Sequence, residues 1–312
     1  MQEDIKTTFK GAVIMIRVLG LGDNVVDKYI NTKIMYPGGN ALNFAVYANI
    51  LDIEASYMGI FGDDEAAKHV YQTSRSLGIK LDHCRFYKGE NGYSKVKLEK
   101  GDRVFVGSNK GGVSAKYPLA LGEVDFSYIS EFDLVHTSCF SFIEKELVNL
   151  RQCSKFISMD FSNRYTNEYL KECCKYIDCA SISCSEMKDE EIIALMKDII
   201  SYGCKHIVIA TRGARGALIL VDGKLYEQSP CLIDAVDTMG AGDSFITAFL
   251  TGYINDMKGT VDFSVESGDK GITKVEEYKD IVIRANLYKA AIFSSKICSR
   301  NGAFGFGKSY KE

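Results

Sequence analysis

Asp237-Thr238-Met239-Gly240-Ala241-Gly242-Asp243 is the stretch on which the reading of this chain turns. Beyond it, apolar residues fall at Phe245, Ile246, Phe249, Leu250 and Tyr253, a stripe of helical period. Gly240, Ala241 and Gly242 therefore stand at or just before a helix N-terminus. Small residues let a ligand approach the backbone there, and the helix end carries partial positive charge. Together these features suit a phosphate. A carboxylate at Asp243 could orient or deprotonate an attacking hydroxyl, as phosphoryl transfer requires. The same residues are also compatible with a glycine-rich turn in which Asp243 caps the helix.

On the N-terminal side of this turn the chain alternates between strand-like and helix-like segments. An apolar run from Ala12 to Gly22 leads to Gly38-Gly39-Asn40, which opens a helix carrying Ala41, Leu42, Ala45, Val46 and Ala48. A strand at Ala55–Ile60 and a helix at Asp64–Leu77 follow. Cys84–Tyr87, Tyr93–Glu99 and Arg103–Val106 are short β-prone runs separated by turn residues, and they read as antiparallel hairpins. Further strands are expected at Phe132–Thr137, Phe156–Asp160, Cys179–Ser183, His206–Ala210 and Ala217–Val221. Such alternation predicts a mostly parallel sheet covered on both faces, with ligands at the carboxyl ends of its strands. Residues 257–280 read as a polar surface insertion before a last helix at Ile281–Arg300. Residues 1–11 read as an N-terminal extension, with Met15 an alternative start.

Composition narrows the function classes. The 312 residues are 46% apolar and 25% charged, with a net charge of −3 and a pI near 5.9. That balance favours neither nucleic acid nor an acidic membrane surface as partner. No apolar run approaches the roughly 20 residues that span a bilayer. The ten cysteines form no C-x-x-C pair and lie scattered in apolar segments. With no secretory signal, this usage is expected of free thiols in the cytoplasm. The four histidines are too dispersed for a zinc site.

Two motif matches mislead. Gly20-Leu21-Gly22 lacks the third glycine of a dinucleotide fingerprint, since Val25 stands there. Gly302-Ala303-Phe304-Gly305-Phe306-Gly307-Lys308-Ser309 matches the P-loop string, but three residues remain after it and no helix can follow.

Gly38 to Asn43 resembles the N-terminal signature of the ribokinase (phosphofructokinase-B) family of carbohydrate kinases. Asp237 to Asp243 resembles the C-terminal signature of that family. The resemblance implies a doubly wound α/β domain over residues 12–312. It also implies a small β-sheet lid drawn from about 28–37 and 82–110. Gly22 to Asp27, Gly62-Asp63-Asp64, Asp102 to Phe105, Phe132 to His136 and Asp160-Phe161-Ser162 resemble the branch that acts on fructosamines. The implied reaction is ATP-dependent transfer to the 6-hydroxyl of a fructosamine such as fructoselysine. A kinase of a ketose, ribose or a 2-keto-3-deoxy sugar acid is the alternative, and a non-catalytic sugar- or nucleotide-binding protein is a remoter one.

Residue by residue, the resemblance makes Asp243 the base and Gly240, Ala241 and Gly242 the anion hole. Asp27, Gly38, Gly39, Asn40 and Asn43 would bind the sugar, with Arg103 of the lid reaching its tail. Ser183, Thr211, Gly213, Gly216 and Gly302 would contact the nucleotide, and Arg164 its phosphate charge. Glu186 would hold Mg²⁺ through water, and Asp237 would join a K⁺ site. Plainer readings stay open: Asn40 as a helix cap, Asp27 as a turn residue, Glu186 as a helix-start carboxylate, Arg103 as a residue that stabilises a hairpin turn, Arg164 as a solvated cation. Serine replaces the family's asparagine at both Ser162 and Ser183. An exposed lid edge could serve a homodimer.

Overall fold

Strands buried on both faces read as near-continuous apolar runs, and this chain folds accordingly. The computed structural model describes residues 15–99, 102–258 and 269–311, without the side chains of residues 102–103 and 269–274. Its strands are β1 (Arg17–Gly22), β2 (Val25–Tyr29), β3 (Ile34–Gly38), β4 (Glu54–Phe61), β5 (Arg85–Phe86), β6 (Gly92–Glu99) and β7 (Asp102–Ser108). They continue with β8 (Leu134–Ser138), β9 (Ile157–Asp160), β10 (Cys179–Ser183), β11 (Ile207–Thr211), β12 (Ala217–Val221), β13 (Lys224–Gln228) and β14 (Lys308–Ser309). The helices are α1 (Asn40–Ile50), α2 (Glu65–Ser76), α3 (Val113–Lys116), α4 (Glu123–Ile129) and α5 (Leu147–Cys153). After them come α6 (Asn167–Cys173), α7 (Asp189–Ser201), α8 (Ala241–Lys258) and α9 (Asp269–Ile297).

The larger sheet has the order β13-β12-β11-β10-β9-β8-β1-β4-β5. From β5 to β11 every neighbouring pair is parallel, and β12 and β13 add an antiparallel edge. Successive residues of each strand feed opposite layers, because side chains alternate across a strand. Val18, Ile207 and Ile209 join a core with α1, α2, α8 and α9. Leu19, Val208 and Ala210 join a core with α4, α5, α6 and α7. This is the mostly parallel sheet covered on both faces that the alternation predicts, and the doubly wound α/β, ribokinase-like architecture that the family resemblance implies. The chain leaves β1 for β4 on one side and returns to β8 on the other. The topological switch therefore lies beside β1, where open α/β sheets bind ligands.

The second sheet has the order β14-β3-β2-β6-β7. It differs from the expected lid in three ways. Its first hairpin spans Val25–Gly38 rather than 28–37. The run at Cys84–Tyr87 supplies β5, which pairs with β4 in the larger sheet and makes no hairpin. The P-loop look-alike ends in β14, which pairs antiparallel with β3. A two-residue strand carries no periodicity, so β5 and β14 are set by their partners alone. The last helix begins at Asp269 and not Ile281, so Asp269–Asp280 of the expected surface insertion are helical. Residues 259–268 and the 1–11 extension lie outside the described residues.

Candidate active site

The acceptor side is built where β1, β8 and β9 end. Gly39 is the N-cap of α1 and has no side chain with which to cap it. Asp23, two residues upstream of β2, supplies the cap from across the fold. Its carboxylate accepts from the Asn40 N–H at 2.6 Å, the Ala41 N–H at 3.2 Å, Ser138 Oγ at 2.7 Å and Ser141 Oγ at 3.0 Å. With the cap supplied by Asp23, the Asn40 side chain is released for other work. Its Nδ2 donates to Asp160 Oδ2 at 2.6 Å and to Asp243 Oδ1 at 3.0 Å.

Asn43 lies one helical turn on, on the same face of α1. Its Nδ2 donates to Asp243 Oδ2 at 2.6 Å. Each oxygen of the Asp243 carboxylate thus takes a fixed amide donor, which sets the plane of the group. Asn43 Oδ1 is buried with no hydrogen-bond partner. Asp27 is buried beside it: a methyl group on Gly38 would come 2.6 Å from Asp27 Oδ2 and 3.9 Å from Asn43 Oδ1. A buried acceptor left unsatisfied is costly. A ligand hydroxyl between Asp27 and Asn43 would relieve that cost.

Asp160 ends β9 and is buried. Burial, then the nearby Asp243 charge, push its carboxyl up to about 7. Asp160 Oδ1 also accepts from the Ser162 N–H at 2.8 Å.

Asp243 lies in the first turn of α8 behind Gly240, Ala241 and Gly242. Gly240 has φ +77°, and a side chain there would run into Tyr47 Oη, so only glycine fits the turn. Tyr47 Oη donates to the Ala303 carbonyl at 2.6 Å, tying α1 to the loop before β14. A methyl group on Gly242 would meet nothing within 4 Å, so that side of the helix N-terminus is open.

Asp237 is fully buried. Oδ2 accepts from Tyr29 Oη at 2.5 Å and the Gly302 N–H at 2.8 Å, and Oδ1 from the Met239 N–H at 3.0 Å. It joins the smaller sheet, the turn before α8 and the C-terminal loop through one group.

The second cluster lies at the ends of β10 and β11. Ser183 and Thr211 are register partners, which brings the Ser183–Glu186 turn beside Thr211–Gly216. Arg212 is buried and pairs with Asp189 at 2.7 Å and Glu227 at 2.8 Å. Arg215 pairs with Asp189 at 2.8 Å and donates to the Met187 carbonyl at 2.6 Å. These arginines clasp the loop from Gly213 to Gly216 against the start of α7. Glu186 is exposed in the turn before α7.

The structure does not gather every candidate. Arg164 is exposed and its guanidinium stacks on Phe140, 4.9 Å from the ring centroid, while near it in the chain the Ser162 carbonyl accepts from the Ser183 N–H at 2.7 Å and Tyr165 Oη donates to the Ser183 carbonyl at 3.4 Å. Arg103 lies on β7, and its side chain is outside the described residues. Asn40 is not the helix cap, and Asp27 is a strand residue and not part of a turn. Sequence reading passed over Asp23, His136, Arg212 and Asp189, and gave Asp160 no role. A carboxylate directly after a buried strand was the signal for Asp23. A histidine inside the apolar run Leu134-Val135-His136 was the signal for His136.

Comparison with known proteins gives the family and supports the fold. The model for "pfkB family carbohydrate kinase" matches residues 13–278. Fructosamine kinase FrlD of Bacillus subtilis (strain 168) is 39% identical over 298 residues, 95% of either chain. Fructoselysine 6-kinase of Escherichia coli (strain K12) is 30% identical over 83% of this chain and 96% of its own. Arabidopsis thaliana ribokinase, solved with ribose and ATP, superposes with a TM-score of 0.72 at 18% identity, covering 93% of this chain and 95% of that one. A match running from just before β1 into α9 means that the chain belongs to the pfkB family of carbohydrate kinases.

Proposed function

We propose that this protein transfers the γ-phosphoryl group of ATP to the 6-hydroxyl of a fructosamine, with fructoselysine as the preferred acceptor. The observation that carries the reading is Asp243, held by Asn40 and Asn43 at the open N-terminus of α8, beside Asp27 and the unsatisfied Asn43 Oδ1. The relatives from Bacillus subtilis and Escherichia coli support the acceptor class.

In this reading Asp27 and Asn43 Oδ1 accept from sugar hydroxyls and orient the ring. Asp243 takes the proton of the 6-hydroxyl as its oxygen attacks the γ-phosphorus and the bond to the β–γ bridging oxygen breaks. The N–H groups from Gly240 to Gly242 stabilise charge on the transferred group. Thr211, Gly213 and Gly216 hold the nucleotide phosphates, together with Ser183 and the Gly302 loop. Arg103 reaches the tail of the acceptor, and Arg164 turns from Phe140 toward phosphate charge.

The described residues contain no cluster of three or more metal-binding side chains. A single exposed carboxylate at Glu186 fits Mg²⁺, which keeps several waters and binds mainly through phosphates. Mg²⁺ bound there supplies neutralisation of phosphate charge. Asp237 Oδ1, with one hydrogen bond, retains lone-pair capacity for K⁺. A homodimer through the smaller sheet belongs to the same reading. Val104, Phe105 and Val106 are exposed on β7, an edge strand among the described residues.

A coupled assay with ATP and Mg²⁺ tests the reading against fructoselysine, other fructosamines, fructose, ribose and 2-keto-3-deoxygluconate. The highest kcat/KM is expected for fructoselysine. A higher value for an unmodified sugar would remove the fructosamine assignment. Omission of K⁺ and sedimentation of the purified chain test the cation and the dimer.

A further inference from the structure

An asparagine amide has a donor end and an acceptor end of nearly the same shape. At Asn40 the choice between them has consequences. Nδ2 faces two carboxyl groups, Asp160 and Asp243. Turned over, the amide would aim its oxygen at both, and repulsion would drive Asp243 from its place against α1.

The orientation is set on the other side of the amide. Asn40 Oδ1 lies 2.9 Å from His136 Nε2, and His136 Nδ1 lies 3.1 Å from Ser158 Oγ. An amide oxygen only accepts, so Nε2 carries the hydrogen and Nδ1 accepts from the serine hydroxyl. Burial lowers the imidazole to about 3, so the ring stays neutral with one hydrogen to place. Phe44 stacks on it with ring centroids 4.4 Å apart and planes 17° apart, which fixes the ring plane. His136 and Ser158 belong to the interiors of adjacent strands, β8 and β9, in direct register.

We propose that His136, backed by Ser158, is a positioning residue for phosphoryl transfer: it holds the Asn40 amide with its donors toward Asp160 and Asp243 and so keeps the base aimed. This rests on the assignment of Asp243 as base. A histidine that merely satisfied a buried strand would affect stability without affecting turnover.

Two substitutions separate these roles. His136→Phe keeps a ring against Phe44 and removes the donor. His136→Gln keeps an N–H close to the position of Nε2. With the acceptor turned over fastest, His136→Phe should lower kcat about 10- to 100-fold with the KM for ATP unchanged. His136→Gln should recover kcat to within about 5-fold of the wild type. Equal kcat in the two variants, or a loss confined to Tm, would overturn the proposal. Nitrogen-15 shifts of His136 in the wild-type protein give a readout independent of how the variants fold. The Nε2–H tautomer is expected, and the Nδ1–H tautomer would overturn the proposal.

Asp243→Asn is measured in parallel. If it turned over normally, the base assignment would fall and this inference with it. If Asp243→Asn were inactive while His136→Phe kept the wild-type kcat, only the His136 assignment would fall.

Discussion

The acceptor side and the β10–β11 side of this site are assembled on different principles. On the acceptor side, buried and half-buried groups meet across the whole chain: Asn43 with the half-buried Asp243, Asn40 with Asp160, Asp23 with Ser141. Each contact joins residues more than 100 positions apart. On the other side the partners are near in sequence, as Arg212 is to Asp189 and Glu227. There the arginine side chain is 2% exposed, while its partners Asp189 and Glu227 are 44% and 64% exposed. One side is a hydrogen-bonded cage around Asp243, which we propose serves as base beside the sugar. The other is a clasped surface loop whose outer face meets water. Solvent screening makes the second arrangement weaker per contact, and a site of that kind tolerates change more readily.

The sharpest way to break this contrast is at Asp243. Asp243→Asn is expected to reduce kcat by about 10³- to 10⁴-fold with ATP affinity retained, read by coupled assay and calorimetry. Near-normal turnover would mean that the cage is structural. Asn43→Ala removes a donor from the base and the unsatisfied acceptor together. A loss of about 10- to 100-fold in kcat/KM for the sugar is expected, with little change in the KM for ATP. A change in the ATP term instead would put Asn43 on the wrong side of the comparison.

Arg212→Met is the converse. The KM for ATP should rise about 3- to 10-fold while the acceptor KM stays put, since the arginine's carboxylate partners are exposed and screened. Equal effects on both substrates would mean that the two sides are mechanically one.

The smallest expected effect is on stability. The Asp160 carboxyl is raised on folding to about 7, chiefly by burial and next by Asp243. The folded state therefore binds the extra proton between the unfolded value near 4 and about 7. The group's contribution to stability is full below about 4 and is lost as the pH rises through about 7. Asp160→Asn cannot titrate, so its Tm should gain on the wild type by a few degrees, roughly, between about pH 4 and pH 7. A difference in Tm that stayed constant with pH would show that Asp160 is ionised throughout.

How much of this was legible beforehand follows from the same contrast. Cys179–Ser183 and Ala217–Val221 are strands with the expected bounds, because short apolar runs between turns carry their own period. β5 and β14 were not recognisable, because two residues show no period and pair only where a neighbouring strand presents an edge. Asn40 and Asn43 were legible as one helix face. The family resemblance gave that face to the sugar; that both amides donate to Asp243 came only from the structure, since spacing along a chain says nothing of contacts 200 residues away.

The strand–helix alternation of the larger sheet, the small-residue turn before α8 and the family follow from the sequence by itself, because local periods and short motifs encode them. The trans cap at Asp23, the doubly bonded Asp243, the proton-retaining Asp160 and the tautomer of His136 were decided only by the tertiary structure. Each depends on which groups share a desolvated space, and folding alone brings those groups together.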